Sequence, residues 1–392
     1  MTNRPSLLSL LLGAWLVACG PPAPDPSPAD GGAVLTPDAG TSSAALSVVR
    51  VHYPTSAQTL SLRGSAPPLR WDRGVPGTRE DADTWRFELE DVSTPLEFKP
   101  LLDDATWSRG ANVLLRPGET VDVSPRFHDA TGEVELAWAA FHSVALGNDR
   151  PIWVYLPPGY AENPHARFPV MYLQDGQNLF DAALAFGGTE WQVDESLDRG
   201  AEALARGETL RPLIVVGVGN TAARMDEYTL TRDEGVGAGG RGAAYLAFLA
   251  TELKPAVDAR FRTLPARETT GVGGSSLGGL VSLAASAERP ETFGVVAALS
   301  PATWWDGRAV LGQVDALAGK PQRPLRVYLD SGDSGPAQDD AANTALLAAR
   351  FRALGYRDGD DLLYVLARGA THAESAWAAR LPGALRFLFP VP

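Results

Sequence analysis

Two kinds of hydrophobic pattern divide this chain. Up to about residue 127, apolar and polar residues alternate in short runs at Leu46–His52, Thr59–Leu62, Thr84–Leu89 and Leu96–Leu101, with a last run at Val121–Val123. Turns rich in Pro, Gly and Asp separate them, and no helical period appears. Alternation of period two buries one face of each strand, so residues 46–127 predict a small antiparallel, immunoglobulin-like β-sandwich. Beyond residue 132 the pattern changes. Apolar runs at Ile152–Leu156, Pro169–Leu173, Pro212–Val218, Thr270–Val272, Val295–Ser300, Arg326–Leu329 and Leu362–Leu366 interleave with helical stretches at Ala244–Phe261, Leu280–Glu288, Ala342–Leu354 and Glu374–Phe389. That order predicts an α/β unit with a doubly wound parallel sheet over 132–392.

Residues 1–45 belong to neither unit. Arg4 precedes an apolar Leu7–Val17 stretch, and Leu16-Val17-Ala18-Cys19 forms a small-residue cleavage site, the parts of an export signal. Cys19 is the one cysteine in the chain. The segment resembles the lipobox of bacterial lipoproteins, which implies a signal peptide over 1–19, lipidation of Cys19 and an exported protein anchored to a membrane of the cell envelope. A plain secretory signal with an incidental cysteine is the alternative. Residues 20–45 carry Pro21, Pro22, Pro24, Pro26, Pro28 and Pro37 among Ala, Gly, Asp and Ser, a composition that predicts a semi-extended tether.

Charge narrows the partners. Across 392 residues, Lys+Arg 34 against Asp+Glu 47 leaves a net charge of −13, a surface that repels phosphate backbones and argues against nucleic acid. A single cysteine excludes a disulfide framework and a multi-cysteine metal cluster. No His, Asp or Glu grouping has ligand spacing, so neither metal nor cofactor is expected.

The chemistry concentrates at Gly274-Ser275-Ser276-Leu277-Gly278, a G-x-S-x-G sequence between a predicted strand and an apolar helix. This is the nucleophile-elbow pattern, in which glycines two residues either side of the serine let strand and helix close on a strained turn. Ser276 has both glycines and is the expected nucleophile; Ser275 does not. Five histidines are available, and only His372 follows the elbow in the order serine, acid, histidine, so it is the expected base. The acid should follow the penultimate strand. Asp333, just past the turn glycine, is the first choice, with Asp330, Asp339 and Asp340 as alternatives. The backbone N–H of Leu277 and one from the Gly176-Gln177 turn, assigned to Gln177, are expected to hold an oxyanion. Trp304 and Trp305 are expected to wall the acyl or leaving-group pocket.

Residues 132–390 resemble the esterase family that includes enterochelin (siderophore) esterases, feruloyl and acetyl-xylan esterases, and esterase D. The resemblance is carried by Val154-Tyr155-Leu156-Pro157-Pro158-Gly159-Tyr160, Tyr172–Asp181, Gly274–Gly279, Leu299-Ser300-Pro301-Ala302-Thr303-Trp304-Trp305 and His372-Ala373-Glu374-Ser375-Ala376-Trp377. It implies an α/β-hydrolase fold, a Ser-acid-His triad and hydrolysis of an acylated-sugar, feruloyl or siderophore-type ester. Acyl transfer by the same triad, or glycan binding without catalysis, are the rival readings. In the first unit, the order Leu69-Arg70-Trp71-Asp72, Trp85-Arg86-Phe87, Phe98-Lys99 and Trp107-Ser108-Arg109 resembles starch-binding carbohydrate modules. The resemblance implies a glucan site at Trp71, Lys99 and Trp107 with Trp85 in the core. Packing against the catalytic unit is the other role open to those aromatics.

Overall fold

The computed structural model of the protein describes residues 46–202 and 210–391. The expected signal peptide, Cys19 and the tether lie outside the described residues. The described residues fall in one compact unit.

Its N-terminal part is all strand. β1 (Ser47–His52), β2 (Leu60–Gly64), β3 (Val75–Pro76), β4 (Thr78–Arg79), β5 (Thr84–Leu89), β6 (Leu96–Leu102), β7 (Thr106–Trp107), β8 (Val113–Leu115) and β9 (Thr120–Val123) form two sheets. One sheet has the order β4-β5-β1-β9, the other β3-β2-β6-β7, with β8 also on β6. Val49, Val51, Leu62, Phe87 and Phe98 from both sheets share a core. The pairing is not purely antiparallel as expected: β9 runs parallel to β1, because it reaches that edge by crossing from β8 in the other sheet.

A half-buried clasp fastens these sheets to the rest of the chain. The Glu162 carboxylate accepts the Tyr53 hydroxyl at 2.8 Å and the backbone N–H groups of Phe127, His128 and Asp129 at 2.6, 3.0 and 2.8 Å. Burial would raise this carboxyl, but the three backbone donors and Tyr53 hold it below its ordinary value. Next to it, Asn163 Nδ2 donates to the carbonyls of His52 and Pro125.

The larger part holds an eight-stranded sheet made of β10 (Glu133–Ser143), β11 (Asn148–Leu156), β12 (Val170–Gln174), β13 (Ile214–Val218), β16 (Thr270–Ser275), β17 (Val295–Leu299), β18 (Arg326–Gly332) and β19 (Leu362–Ala367). A short ribbon, β14 (Arg232–Asp233) with β15 (Ala238–Gly239), stands apart. The sheet order is β10-β11-β13-β12-β16-β17-β18-β19, antiparallel at β10 and β11 and parallel from β13 onward. Around it run α1 (Val193–Glu202), α2 (Arg224–Glu227), α3 (Gly242–Ala247), α4 (Lys254–Arg260), α5 (Leu277–Glu288), α6 (Trp305–Asp315), α7 (Ala341–Ala353) and α8 (Glu374–Leu388). The single helix expected over Ala244–Phe261 is instead α3, a π-helical stretch and α4. Pro255 at the start of α4 has no N–H for the preceding turn, which loosens the hydrogen-bond ladder there.

The chain leaves β12 for β13 on one side, then returns to place β16 on the other. The crevice beyond the carboxyl ends of β12 and β16 is therefore where a doubly wound sheet offers a binding site.

Candidate active site

β16 is buried throughout and ends at Ser275. Ser276 then takes φ 56° and ψ −124°, a left-handed conformation unusual for a residue with a side chain, and α5 starts at the next residue. The turn is held by Ser276 N–H donating to the Leu299 carbonyl at 3.0 Å and by Ala302 N–H donating to the Ser276 carbonyl at 3.0 Å. A Cβ on Gly274 would come within 2.9 Å of Gln174, and one on Gly278 within 3.0 Å, so β12 can approach only because both are glycine. Leu277 is the first residue of α5, where a helix leaves its N–H groups without intrahelical acceptors. Gln177 lies in the single turn after β12, the strand paired with β16.

Ser276, Gln177 and His372 line one cavity of about 780 Å³. His372 stands between β19 and α8, its ring edge-on to Trp377 at 4.8 Å. Its Nδ1 donates to Asp339 Oδ1 at 2.5 Å. Asp339 is buried, and its other oxygen accepts the Ser300 hydroxyl at 2.6 Å and the Gly332 N–H. Burial pushes this carboxyl up, yet the hydrogen bonds from His372, Ser300 and Gly332 together hold it below its ordinary value.

The acid expected at Asp333 is therefore corrected. Asp333 sits on the outside of the turn that carries His372, accepting Gly369 N–H at 2.6 Å and Arg368 at 3.2 Å. The reason is local backbone. Ala337, Gln338, Asp339 and Asp340 all have positive φ, and this left-handed run folds the loop back so that Asp339 meets the histidine. Asp330 is spoken for as well: it is buried against Arg380, with bonds of 2.8 and 3.0 Å. Asp340 accepts Trp304 N–H and Asn343.

The tryptophan pocket wall is corrected too. Trp305 is buried and donates to the Thr231 carbonyl at 3.1 Å, while Trp304 is 48% exposed; neither lines the cavity. Left-handed residues 306–308 break the helical path at the start of α6. Trp377, whose indole donates to Ser300 at 3.0 Å, lines the cavity instead. Also missed from sequence was the buried floor: Asp175 (φ 58°) receives Arg224 Nε and Nη2 at 2.7 Å each and Asn220 at 2.6 Å. Its signal was the Gln174-Asp175-Gly176 strand end; its partners come from the loop after β13 and the first residue of the one-turn α2, where the sequence shows no pattern.

Among the described residues, Glu190, Asp194 and Glu195 are the acidic side chains close enough to share a cation, but they do not line the cavity. Burial and Glu195 push Asp194 up to about 7. In the β-sandwich part, the indoles of Trp71 and Trp107 lie 6.1 Å apart, inclined at 43°, and each is 39% exposed. Lys99 is partly buried nearby on β6, and Arg63 lies over Trp107 at 5.3 Å. Trp85 is buried and donates to Thr55 at 3.2 Å.

Residues 143–388 match the Esterase family, described as "Putative esterase". An uncharacterised protein YbbA of Bacillus subtilis is 24% identical over 62% of this chain and 93% of its own length. An endo-1,4-beta-xylanase/feruloyl esterase of Xylanibacter ruminicola is 26% identical over 64% of this chain and 30% of its own. A siderophore triacetylfusarinine C esterase of Aspergillus fumigatus is 31% identical over 38% of this chain and 49% of its own. The BES protein of Bacillus cereus shares the fold at a TM-score of 0.53, 21% identity, covering 68% of this chain and 97% of that one. An IroE-like serine hydrolase of Shewanella oneidensis does so at 0.51, 20% identity, covering 66% and 80%. The chain belongs to the Esterase family and is a carboxylic-ester hydrolase.

Proposed function

We propose that the chain is a serine esterase in which Ser276 attacks the ester carbonyl, His372 takes the serine proton and Asp339 orients the ring. The observation that carries this reading is the Ser276 elbow sharing a cavity with a histidine already bonded to a buried carboxylate. With Nδ1–H committed to Asp339, the other ring nitrogen is free of its proton and can act as base toward Ser276. His372 then gives the serine proton to the leaving alkoxide, which departs as the alcohol and leaves an acyl-enzyme; the neutral ring next takes a proton from water as it attacks the acyl carbon, and returns it to Ser276 as the carboxylic acid leaves. The N–H groups of Leu277 and Gln177 stabilise the tetrahedral oxyanion.

The relatives' names support a feruloyl or siderophore-type ester as substrate, and an acylated sugar is kept beside them as an uncharged ester of the same reaction class. The paired, half-exposed Trp71 and Trp107 support a glucan ligand on the β-sandwich, since flat indoles suit pyranose faces. The lipobox-like Leu16–Cys19 supports an envelope lipoprotein anchored through Cys19. The test of the catalytic reading is hydrolysis of short p-nitrophenyl esters by purified Ser276→Ala and His372→Ala. Each should lose about 10⁴-fold or more in turnover while keeping the wild-type circular dichroism, because triad members act as a unit. Near-normal turnover by Ser276→Ala would reject it.

A further inference from the structure

The cavity carries an imbalance of charge that the proposed mechanism does not use. Among the described residues Arg224 is the one Lys or Arg lining it. Its charge is already matched, because Nε and Nη2 both bind the Asp175 carboxylate. Glu374 also lines the cavity, two residues after His372. Among the described residues its hydrogen bonds come from neutral donors, Asn178 Nδ2 at 3.3 Å on one oxygen and the Trp191 indole N–H on the other, with Arg224 and His372 acting on it through space alone. A half-buried carboxylate with neutral partners keeps its field in the cavity. Its position beside His372 favours the imidazolium that forms during the reaction, which gives a physical reason for the chain to bear the cost.

An apolar lip adjoins it. Leu184 and Phe186 line the cavity while remaining 53% and 80% exposed. Asn178 connects the two features, accepting Phe186 N–H at 3.0 Å and donating to Glu374 through one side-chain amide. A group laid on this lip is thus held within range of the Glu374 charge.

We infer that the cavity is a charge filter: it admits uncharged esters that carry an apolar group and turns away anionic ones, with Glu374 as the specificity-determining residue. The inference rests on the serine-esterase reading above and narrows its substrates. Uncharged acyl sugars and aromatic acyl esters pass; an anionic metal–catecholate complex does not, because among the described residues no unmatched Lys or Arg lines the cavity wall. Like charges held at this range in a partly exposed site cost enough to lower kcat/KM by about tenfold, chiefly through KM.

The experiment uses two pairs of esters matched in shape. Phenyl 4-carbamoylbenzoate and phenyl 4-carboxybenzoate differ in charge on the acyl side. The butyrates of 4-hydroxybenzamide and 4-hydroxybenzoate differ in charge on the leaving group. Each kcat/KM is divided by the ester's alkaline hydrolysis rate to remove intrinsic reactivity. In at least one pair the uncharged member should be favoured by about tenfold, and added salt should shrink the gap. Glu374→Gln should narrow it to about twofold, and Thr189→Lys, which adds a cation to the cavity wall, should do the same without touching Glu374. Equal rates within both pairs, or a gap that neither variant nor salt moves, would overturn the inference and leave the esterase reading intact. Hydrolysis of no ester by the wild type would overturn both.

Discussion

Replacing Asp339 by Asn separates the proposed acid from its neighbours with little change of shape. In the wild type one oxygen receives His372 Nδ1–H at 2.5 Å, while the other receives Ser300 at 2.6 Å and Gly332 N–H. Asparagine has one acceptor oxygen. The two donors from Ser300 and Gly332 claim it, which turns the amide NH₂ toward His372. The ring must then accept at Nδ1 and carry its proton on the nitrogen needed as base. Such a tautomer swap costs about 10⁴-fold in kcat, roughly 5 kcal/mol of transition-state stabilisation. Folding should suffer by only about 1–3 kcal/mol, the scale of one compromised buried hydrogen-bond group. Asp333→Asn is the control: it alters a solvent-facing contact with Arg368 and Gly369, and turnover should change by no more than about twofold. The assay is p-nitrophenyl butyrate turnover with active-site titration, alongside thermal melts. A loss at Asp333 equal to or greater than that at Asp339 would refute the reasoning.

Four further outcomes are expected. Ser276→Gly should abolish turnover yet raise stability by about 1 kcal/mol, because glycine accepts φ 56° without strain; a lower melting temperature would contradict this. Burial raises the Glu374 carboxyl, with Asp175 adding to the shift, so the folded state holds that proton more tightly than the unfolded chain. The stability it contributes is present at acid pH and lost as pH rises through the folded value, so Glu374→Gln should compare better with wild type at about pH 8 than at about pH 4 in thermal melts. Trp71→Ala and Trp107→Ala in the full chain should each weaken cyclodextrin binding, measured by tryptophan fluorescence, by roughly 1 kcal/mol; a spectrum unmoved by any glucan would make the pair a structural feature. Cys19→Ser should release the protein from membranes and stop incorporation of labelled fatty acid, and unacylated wild-type protein free in the medium would argue the other way.

Of the proposed triad, the Ser276 elbow was legible in the sequence because its geometry demands glycines at fixed spacing, and Gly274 and Gly278 are in contact range of Gln174. His372 was legible by elimination, since chain order left no other histidine. The acid was not. Its identity depends on four consecutive left-handed residues, none of them glycine, and no local propensity announces such a run. Trp304 and Trp305 misled for a related reason: proximity to the elbow in sequence says nothing about a helix whose path is broken at Asp306–Arg308. β10 escaped notice because it is an edge strand with two irregularities in its register, where alternation is broken. The Glu374–Asn178 link joins residues 196 apart, and only the fold brings them together.

The clasp at Glu162 also bears on how the chain comes apart. Pulling the β-sandwich away would leave a half-buried carboxylate without the Tyr53 hydroxyl, and would strip the buried Asn163 of the His52 carbonyl. Melting the sandwich alone therefore carries the penalty of opening the hydrolase loop as well. The two parts should denature in a single cooperative transition, with calorimetric and van't Hoff enthalpies in agreement, although their folds differ. Their amides near the clasp should exchange with solvent only through that same global opening. By the same logic, protease would find no early cut between residues 124 and 130, and a chain shortened to start at the hydrolase would begin life with an open wound at Glu162.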